Sequence, residues 1–192
     1  MRQSCGECHQ YNCKTSFNLQ YNIISMSRGF VKEEDQEEIP MVAPRADLPM
    51  GATNYVTDKG LLQLLNEKDN LMMDKKSTNL ENEKEQRIAI NLINAKLQLL
   101  NERISSAKVV SLVDQPKNEV RFGAIISLLI GDAKTPKDFQ IVGVDEANIA
   151  ENKISFLSPI ARILISKKID DVAVLQIGKT DRTFKVLGIR YS

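Results

Sequence analysis

The apolar positions change rhythm along this chain. From Thr57 onward, Leu61, Leu62, Leu64, Leu65, Leu71 and Met72 recur at helical spacing, and Thr57 is placed to cap the first turn. A polar stretch, Lys75-Lys76-Ser77-Thr78-Asn79, then breaks the pattern. Ile90, Ile93, Leu97, Leu100, Ile104 and Ala107 follow at intervals of 3, 4, 3, 4 and 3, an a/d seam that Ile88, Leu92 and Leu99 widen on one side. Two such helices across a short polar turn predict an antiparallel helical hairpin. Its arms would be roughly 30–40 Å long at 1.5 Å per residue.

Beyond Asp114-Gln115-Pro116 the rhythm shortens. Residues 120–130, 139–144, 153–156, 172–177 and 183–190 are rich in Val, Ile and Phe, with polar or glycine-containing turns between them. One helix interrupts these strands. Ser158 serves as its N-cap and Pro159 as its first residue, Ile160, Ile163 and Leu164 form an apolar face, and Lys167-Lys168 suit its C-terminal end. The predicted fold class is α+β: a coiled-coil hairpin followed by a small domain of about five strands with one helix against the sheet.

Upstream the pattern is polar. Residues 32–38 form an acidic run, and Pro40, Pro44 and Pro49 punctuate the approach to Gly51, which predicts an extended arm. The chain thus divides into residues 1–25, an acidic and proline-containing arm over 26–54, the hairpin over 55–110 and the C-terminal domain over 111–192.

Composition changes this picture mainly by subtraction. The 192 residues include no Trp, one His and three Cys, and Cys5, Cys8, His9 and Cys13 hold all the histidine and cysteine. From residue 14 onward no Ser-His-Asp or Cys-His nucleophile, thiol redox centre or His- or Cys-ligated zinc can be built. The 26 basic residues balance 25 acidic ones, so no global field draws the chain to nucleic acid. The longest apolar run, around residues 124–130, is too short to span a bilayer. Residues 1–25 lack the apolar core of a secretory signal, so a cytoplasmic location is expected. The cysteine cluster has no second Cys-x-x-Cys pair to complete a zinc knuckle. With Met26 as a plausible alternative start, residues 1–25 are expected to be disordered or upstream of the true start.

Several separated words in the C-terminal part stand in a consistent order: Phe122-Gly123-Ala124, Ile141-Val142-Gly143-Val144-Asp145-Glu146-Ala147, Ile154-Ser155-Phe156-Leu157-Ser158-Pro159-Ile160-Ala161-Arg162, Asp170-Asp171-Val172-Ala173-Val174 and Phe184-Lys185-Val186-Leu187-Gly188-Ile189. Together they resemble the C-terminal, FKBP-like domain of the bacterial GreA/GreB transcript-cleavage factors. Tyr55-Val56-Thr57-Asp58-Lys59-Gly60-Leu61 is similar to the start of that family's first coiled-coil helix, and residues 97–110 to the end of its second.

The resemblance implies a regulator of transcription elongation. Its C-terminal domain would grip the rim of the RNA polymerase secondary channel while the hairpin enters that channel. Leu157, Ser158, Pro159 and Arg162 fall where the family contacts the rim, with Leu157 in place of the usual Asp or Asn. Ser158-Pro159 also has a plain meaning as a helix cap. In the family, carboxylates at the tip help hold a second Mg²⁺ in the polymerase active site, a task for hard oxygen ligands. The tip word here is Asn79-Leu80-Glu81-Asn82-Glu83-Lys84-Glu85. Glu81-Asn82 matches the family's Glu-Asn step, whereas neutral Asn79 stands where its Asp falls. The first helix is about a dozen residues shorter than the family's, or ~18 Å of reach.

Asp74, Glu81, Glu83 and Glu85 are the candidate tip carboxylates, with Glu81 the candidate for a shared Mg²⁺ and no tightly bound cofactor expected. Their plain meaning is a solvated helix start whose acids complement the dipole. The chain would be no enzyme itself, at most stimulating the polymerase's own RNA cleavage. It would be a monomer touching nucleic acid only through the elongation complex, with no membrane contact. A modulator that competes for the channel without cleavage is the alternative. The fold alone also suggests a peptidyl-prolyl isomerase, and the hairpin alone a chaperone or scaffold.

Overall fold

The computed structural model describes residues 41–191. Helix α1, Asp58–Ser77, begins where the Thr57 hydroxyl accepts the Gly60 amide, and Lys75 and Lys76 place positive charge at its C-terminal end. Helix α2, Glu83–Ser105, is capped by Asn82, whose side-chain oxygen accepts the Lys84 amide at 3.0 Å. The C-terminal part of the seam faces inward as its spacing predicts, while Ile90, Ile93 and Leu97 are half-buried. Leu64 and Leu100 are buried against Val56, with Leu61, Leu71, Ile104 and Ala107 around them. Leu62, Leu65, Met72 and Ile88 remain exposed, so the shared core is a narrow stripe.

The base of the hairpin differs from the sequence reading. α2 stops at Ser105, and Ala107 opens a short strand, β2 (Ala107–Val109), paired in parallel with β1 (Asn54–Val56). Asn54 explains the stop. Buried beneath the end of α2, it donates to the Arg103 carbonyl at 2.9 Å and to the Ser106 hydroxyl at 3.2 Å, satisfying groups that the helix end leaves without an intrahelical partner. Ala107 keeps its place in the hairpin core, but from a strand.

Five strands follow: β3 (Ile125–Ile130), β4 (Lys137–Val142), β5 (Lys153–Ser155), β6 (Val172–Ile177) and β7 (Thr180–Arg190), in the order β5-β4-β3-β7-β6. Neighbours are antiparallel except β4 and β5. Ile126, Leu128, Ile141, Ala173, Phe184 and Val186 point to one face and are buried there with Ala161 and Leu164 of α3 (Pro159–Leu164). α3 packs against both edge strands, β5 and β6.

Strand β5 ends one residue short of the expected 153–156 and β7 begins three residues before the expected 183, and two other expected strands are trimmed at a glycine. Residues 120–124, read as the start of a strand, form a turn in which Gly123 has φ +84° and the Leu112 side chain occupies the space a Cβ would need. The strand expected over 139–144 begins at Lys137 and ends at Val142. Gly143 beyond it lies so close to the Tyr55 carbonyl that a Cβ would come within 2.6 Å.

Residues 41–53 carry no regular element. The cluster Cys5, Cys8, His9 and Cys13 and the acidic run 32–38 lie outside the described residues. Among the described residues no helix is long and apolar enough to cross a membrane.

Candidate functional site

The sequence-derived candidates fall into two separate places, the free end of the hairpin and the start of α3. At the free end, residues 78–82 connect the helices. The Thr78 hydroxyl donates to the Asp74 carbonyl at 2.7 Å, and the Gln86 side chain donates to the Thr78 carbonyl at 3.3 Å. These bonds close the turn without using any carboxylate. Asp74, Glu81, Glu83 and Glu85 are all exposed. Glu85 receives the Asn82 amide at 3.3 Å, which ties it to the helix cap. Among the described residues Asp74, Glu81 and Glu83 have no side-chain hydrogen-bond or ion-pair partner. Among the described residues no group of three or more acidic, histidine or cysteine side chains comes together to hold a metal. A metal meeting this tip would therefore need most of its ligands from elsewhere.

At the start of α3 the Ser158 hydroxyl accepts the Ala161 amide at 3.2 Å, the cap its position predicts. The turn before it is equally fixed. The Ser158 amide donates to the Ser155 carbonyl at 2.9 Å, and the Leu157 amide donates to the Ser155 hydroxyl at 3.2 Å. With backbone and cap held, Pro159 and Arg162 stand exposed on one side of the helix, and Leu157 and Ser158 are half-buried. Beside them opens an apolar groove of about 810 Å³. Its walls are the β5 edge, the start of α3 and the β6 edge, with Phe139, Ile154, Pro159, Ile160 and Leu175 among the lining residues.

Ile149 completes the groove, and sequence reasoning missed it. It lies in a single 3-10 turn, Ile149–Glu151, capped by Asn148, and is 90% exposed. An isoleucine alone in the polar run Asp145-Glu146-Ala147-Asn148-Ile149-Ala150-Glu151-Asn152 was the available signal. At the turn's end Asn152 takes a left-handed conformation, and the Lys153 ammonium lies 2.6 Å from Glu151, whose carboxyl it holds below the usual range. A fixed turn thus presents an apolar side chain to solvent beside an apolar groove, a pairing that marks a contact surface.

A third feature joins the hairpin to the domain. Tyr55 of β1 meets Phe122 and Phe156, all three ring pairs having centroids 5.7–5.8 Å apart. Glu146 accepts hydrogen bonds from the Thr57 amide and hydroxyl, so the cap of α1 is itself anchored in the domain. Its neighbour Asp145 faces two arginines, Arg45 from the arm and Arg103 from α2, each with its Nε 3.0 Å from a carboxylate oxygen. Arg45 also pairs with Glu67 of α1, whose hydrogen bonds, helped by Asp145, hold the guanidinium above its already high range against the opposing effect of burial. The word containing Asp145 and Glu146 was visible in the sequence, but the partners were not.

Residues 115–191 match the family model described as "Transcription elongation factor, GreA/GreB, C-term". Among similar proteins, the transcription elongation factor GreA of Pasteurella multocida (strain Pm70) is 39% identical over 97 residues, covering 50% of this chain and 61% of that protein. GreA of Yersinia pestis bv. Antiqua (strain Angola) is 35% identical over 97 residues with the same coverage. The chain spans about six tenths of the length of these curated relatives. Among solved structures, the GreA factor homolog 1 (Gfh1) protein of Thermus thermophilus overlaps 71% of this chain and 97% of its own, at 20% identity and a TM-score of 0.34.

Proposed function

We propose that this chain, whose residues 115–191 match the GreA/GreB C-terminal family model, is an elongation factor of that kind that binds RNA polymerase and regulates elongation from the secondary channel. The observation that carries this reading is the apolar groove at the start of α3, where exposed Ile149 and Pro159 offer a partner a fixed apolar surface. The polymerase rim is the occupant proposed for it, with Leu157, Ser158, Pro159 and Arg162 at or beside the contact. The hairpin is the part that enters the channel. Its helices of 20 and 23 residues are about 30 and 35 Å long. Contact with nucleic acid is then indirect, the location is that of the polymerase, and the factor works as a monomer.

At the tip, Asp74, Glu81 and Glu83 are the carboxylates with no side-chain partner among the described residues, and of these Glu81 and Glu83 are proposed to lend an oxygen to a Mg²⁺ held by the polymerase. That ion would activate water against the RNA phosphodiester, and the chain would supply only ligands and position. The second reading is a modulator that occupies the channel without promoting cleavage. Two observations favour it: Glu85 is engaged with the Asn82 cap, and neutral Asn79 stands in the turn. The isomerase reading loses support because Phe139 is the one aromatic lining the groove, while Phe122 and Phe156 turn to Tyr55.

The deciding experiment is RNA cleavage in a backtracked bacterial elongation complex, comparing the full chain with Glu81→Ala and Glu83→Ala. Stimulation that either substitution abolishes supports metal assistance. Competition with an authentic cleavage factor and no stimulation supports the modulator. Failure to bind the polymerase at all sinks both.

A further inference from the structure

We propose that Arg45 is a positioning residue: with Asp145 it lashes residues 42–48 across the base of the hairpin and sets the hairpin's direction over the C-terminal domain. Arg45 lies outside the residues that match the family model, in the arm that the sequence reading treated as merely extended. Its guanidinium is used on two sides. Nη1 and Nη2 bind the two oxygens of Glu67 on α1 at 2.8 and 3.0 Å, and Nε binds Asp145 of the domain at 3.0 Å. A planar fork fixes an angle as well as a distance, which a lysine ammonium does not.

The opposite side of Asp145 is held by α2. Arg103 Nε lies 3.0 Å from the other Asp145 oxygen, and Arg103 Nη2 donates to the Ala46 carbonyl of the arm. Asp145 has a side chain only 5% exposed, so arm, α2 and domain meet at one sheltered carboxylate, and Arg45 carries the link on to Glu67 of α1. Pro44, Ala46 and Leu48 of the arm line one side of a cleft of about 350 Å³ whose other side carries Leu99 and Arg103 of α2.

The spacing of the attachments makes this a question of direction. Glu146 anchors α1 at Thr57, its first-turn cap, while Arg45 reaches the same helix at Glu67. Ten residues of helix separate those points by about 15 Å. One anchor leaves a helix free to pivot about it, and a second at that distance removes the pivot. Consecutive residues, Asp145 and Glu146, provide the domain's half of both.

The test reads geometry first, without the polymerase. In the full chain with Cys5, Cys8 and Cys13 replaced by Ser, spin labels are attached through Lys76→Cys near the hairpin tip and Lys134→Cys in the β3–β4 turn. The interlabel distance distribution is expected to be single and narrow. Arg45→Ala shifts and broadens it, Asp145→Asn broadens it further, and Arg45→Lys does not restore it. Arg45 is half-buried but belongs to neither helix, so its replacement is expected to leave the helix content measured by circular dichroism unchanged, and if Asp145→Asn fails to fold, Arg45→Ala decides alone. An unchanged distribution in Arg45→Ala overturns the proposal.

The functional half rests on the polymerase-binding reading. There Arg45→Ala is expected to bind polymerase as the unsubstituted chain does, because the groove is intact, yet to lose its effect on elongation. A full effect on elongation despite a broadened distribution would overturn the positioning role. If the unsubstituted chain does not bind polymerase, the functional reading falls and the distance result still stands.

Discussion

Glu146 accepts both hydrogen bonds that Thr57 can donate, the amide at 2.8 Å and the hydroxyl at 2.5 Å, while the Thr57 oxygen accepts the Gly60 amide at 3.0 Å. A carboxylate on the domain thereby holds a helix cap 89 residues earlier in the chain. Glu146→Ala leaves the Thr57 amide without its partner in a part-buried site, and we expect a loss of about 1–3 kcal/mol. Denaturant unfolding of the two proteins measures it. Glu146→Gln, which keeps an acceptor, should cost less.

Gly60 supplies a change whose sign depends on its neighbour. Alanine is normally the better helix former by about 1 kcal/mol. Here a Cβ on residue 60 would come within 2.0 Å of the Glu146 carboxyl carbon. Gly60→Ala is therefore expected to destabilise the protein by displacing Glu146 from Thr57. In a Glu146→Ala background the same substitution should become neutral or stabilising, and thermal unfolding of the four proteins closes the cycle.

For the groove, Ile149→Asp separates contact from folding. Ile149 is 90% exposed, so the substitution should leave the melting temperature almost unchanged. If polymerase buries this side chain, the loss is about 1.5–3 kcal/mol. That corresponds to an affinity lower by about ten- to a hundredfold. Equal affinity of the two proteins in a polymerase titration would place the contact elsewhere.

Acid sensitivity is expected at the β3–β4–β7 face. Asp138 accepts the Ser127 hydroxyl at 2.5 Å and pairs with Arg190 at 2.6 Å, and these partners, Ser127 first, hold its carboxyl below the usual range. A carboxyl depressed on folding contributes stability above its unfolded value, about 3.9 for an aspartate. That contribution fades as pH falls through the lower folded value. The site is open to solvent, so the effect is small. Asp138→Asn should lower the melting temperature at pH 7 and converge with the unsubstituted chain in strong acid.

The parts legible in the sequence are those with a local rhythm or a local partner. The seam residues Leu100 and Ile104 and the caps Thr57 and Ser158 follow patterns that repeat or act within four residues, and the structure places them as their spacing predicts. Strand ends were less legible where a glycine serves a distant neighbour. Gly123 makes room for Leu112, and Gly143 for Tyr55. The pair β1 and β2 had no local signal, being three residues each and joined across the whole hairpin. The same holds for the clamp, since Arg45 and Asp145 stand 100 residues apart and look like ordinary surface charges until the chain is folded. The groove was half legible: Ser158-Pro159 could be read, but Ile149 acquires its meaning from the edge strands beside it.

The anchors at the base of the hairpin act on a long lever. Helix axes in such a pair lie about 8–10 Å apart, while α1 extends about 30 Å. A slip of about 1 Å across the base is therefore magnified about threefold at the free end. The distance over which a carboxylate can ligate a metal is set to within a few tenths of an ångström. Where the tip arrives is thus decided less by Glu81 and Glu83 than by the fit of Thr57, Glu146, Asp145 and Arg45 at the other end of the lever.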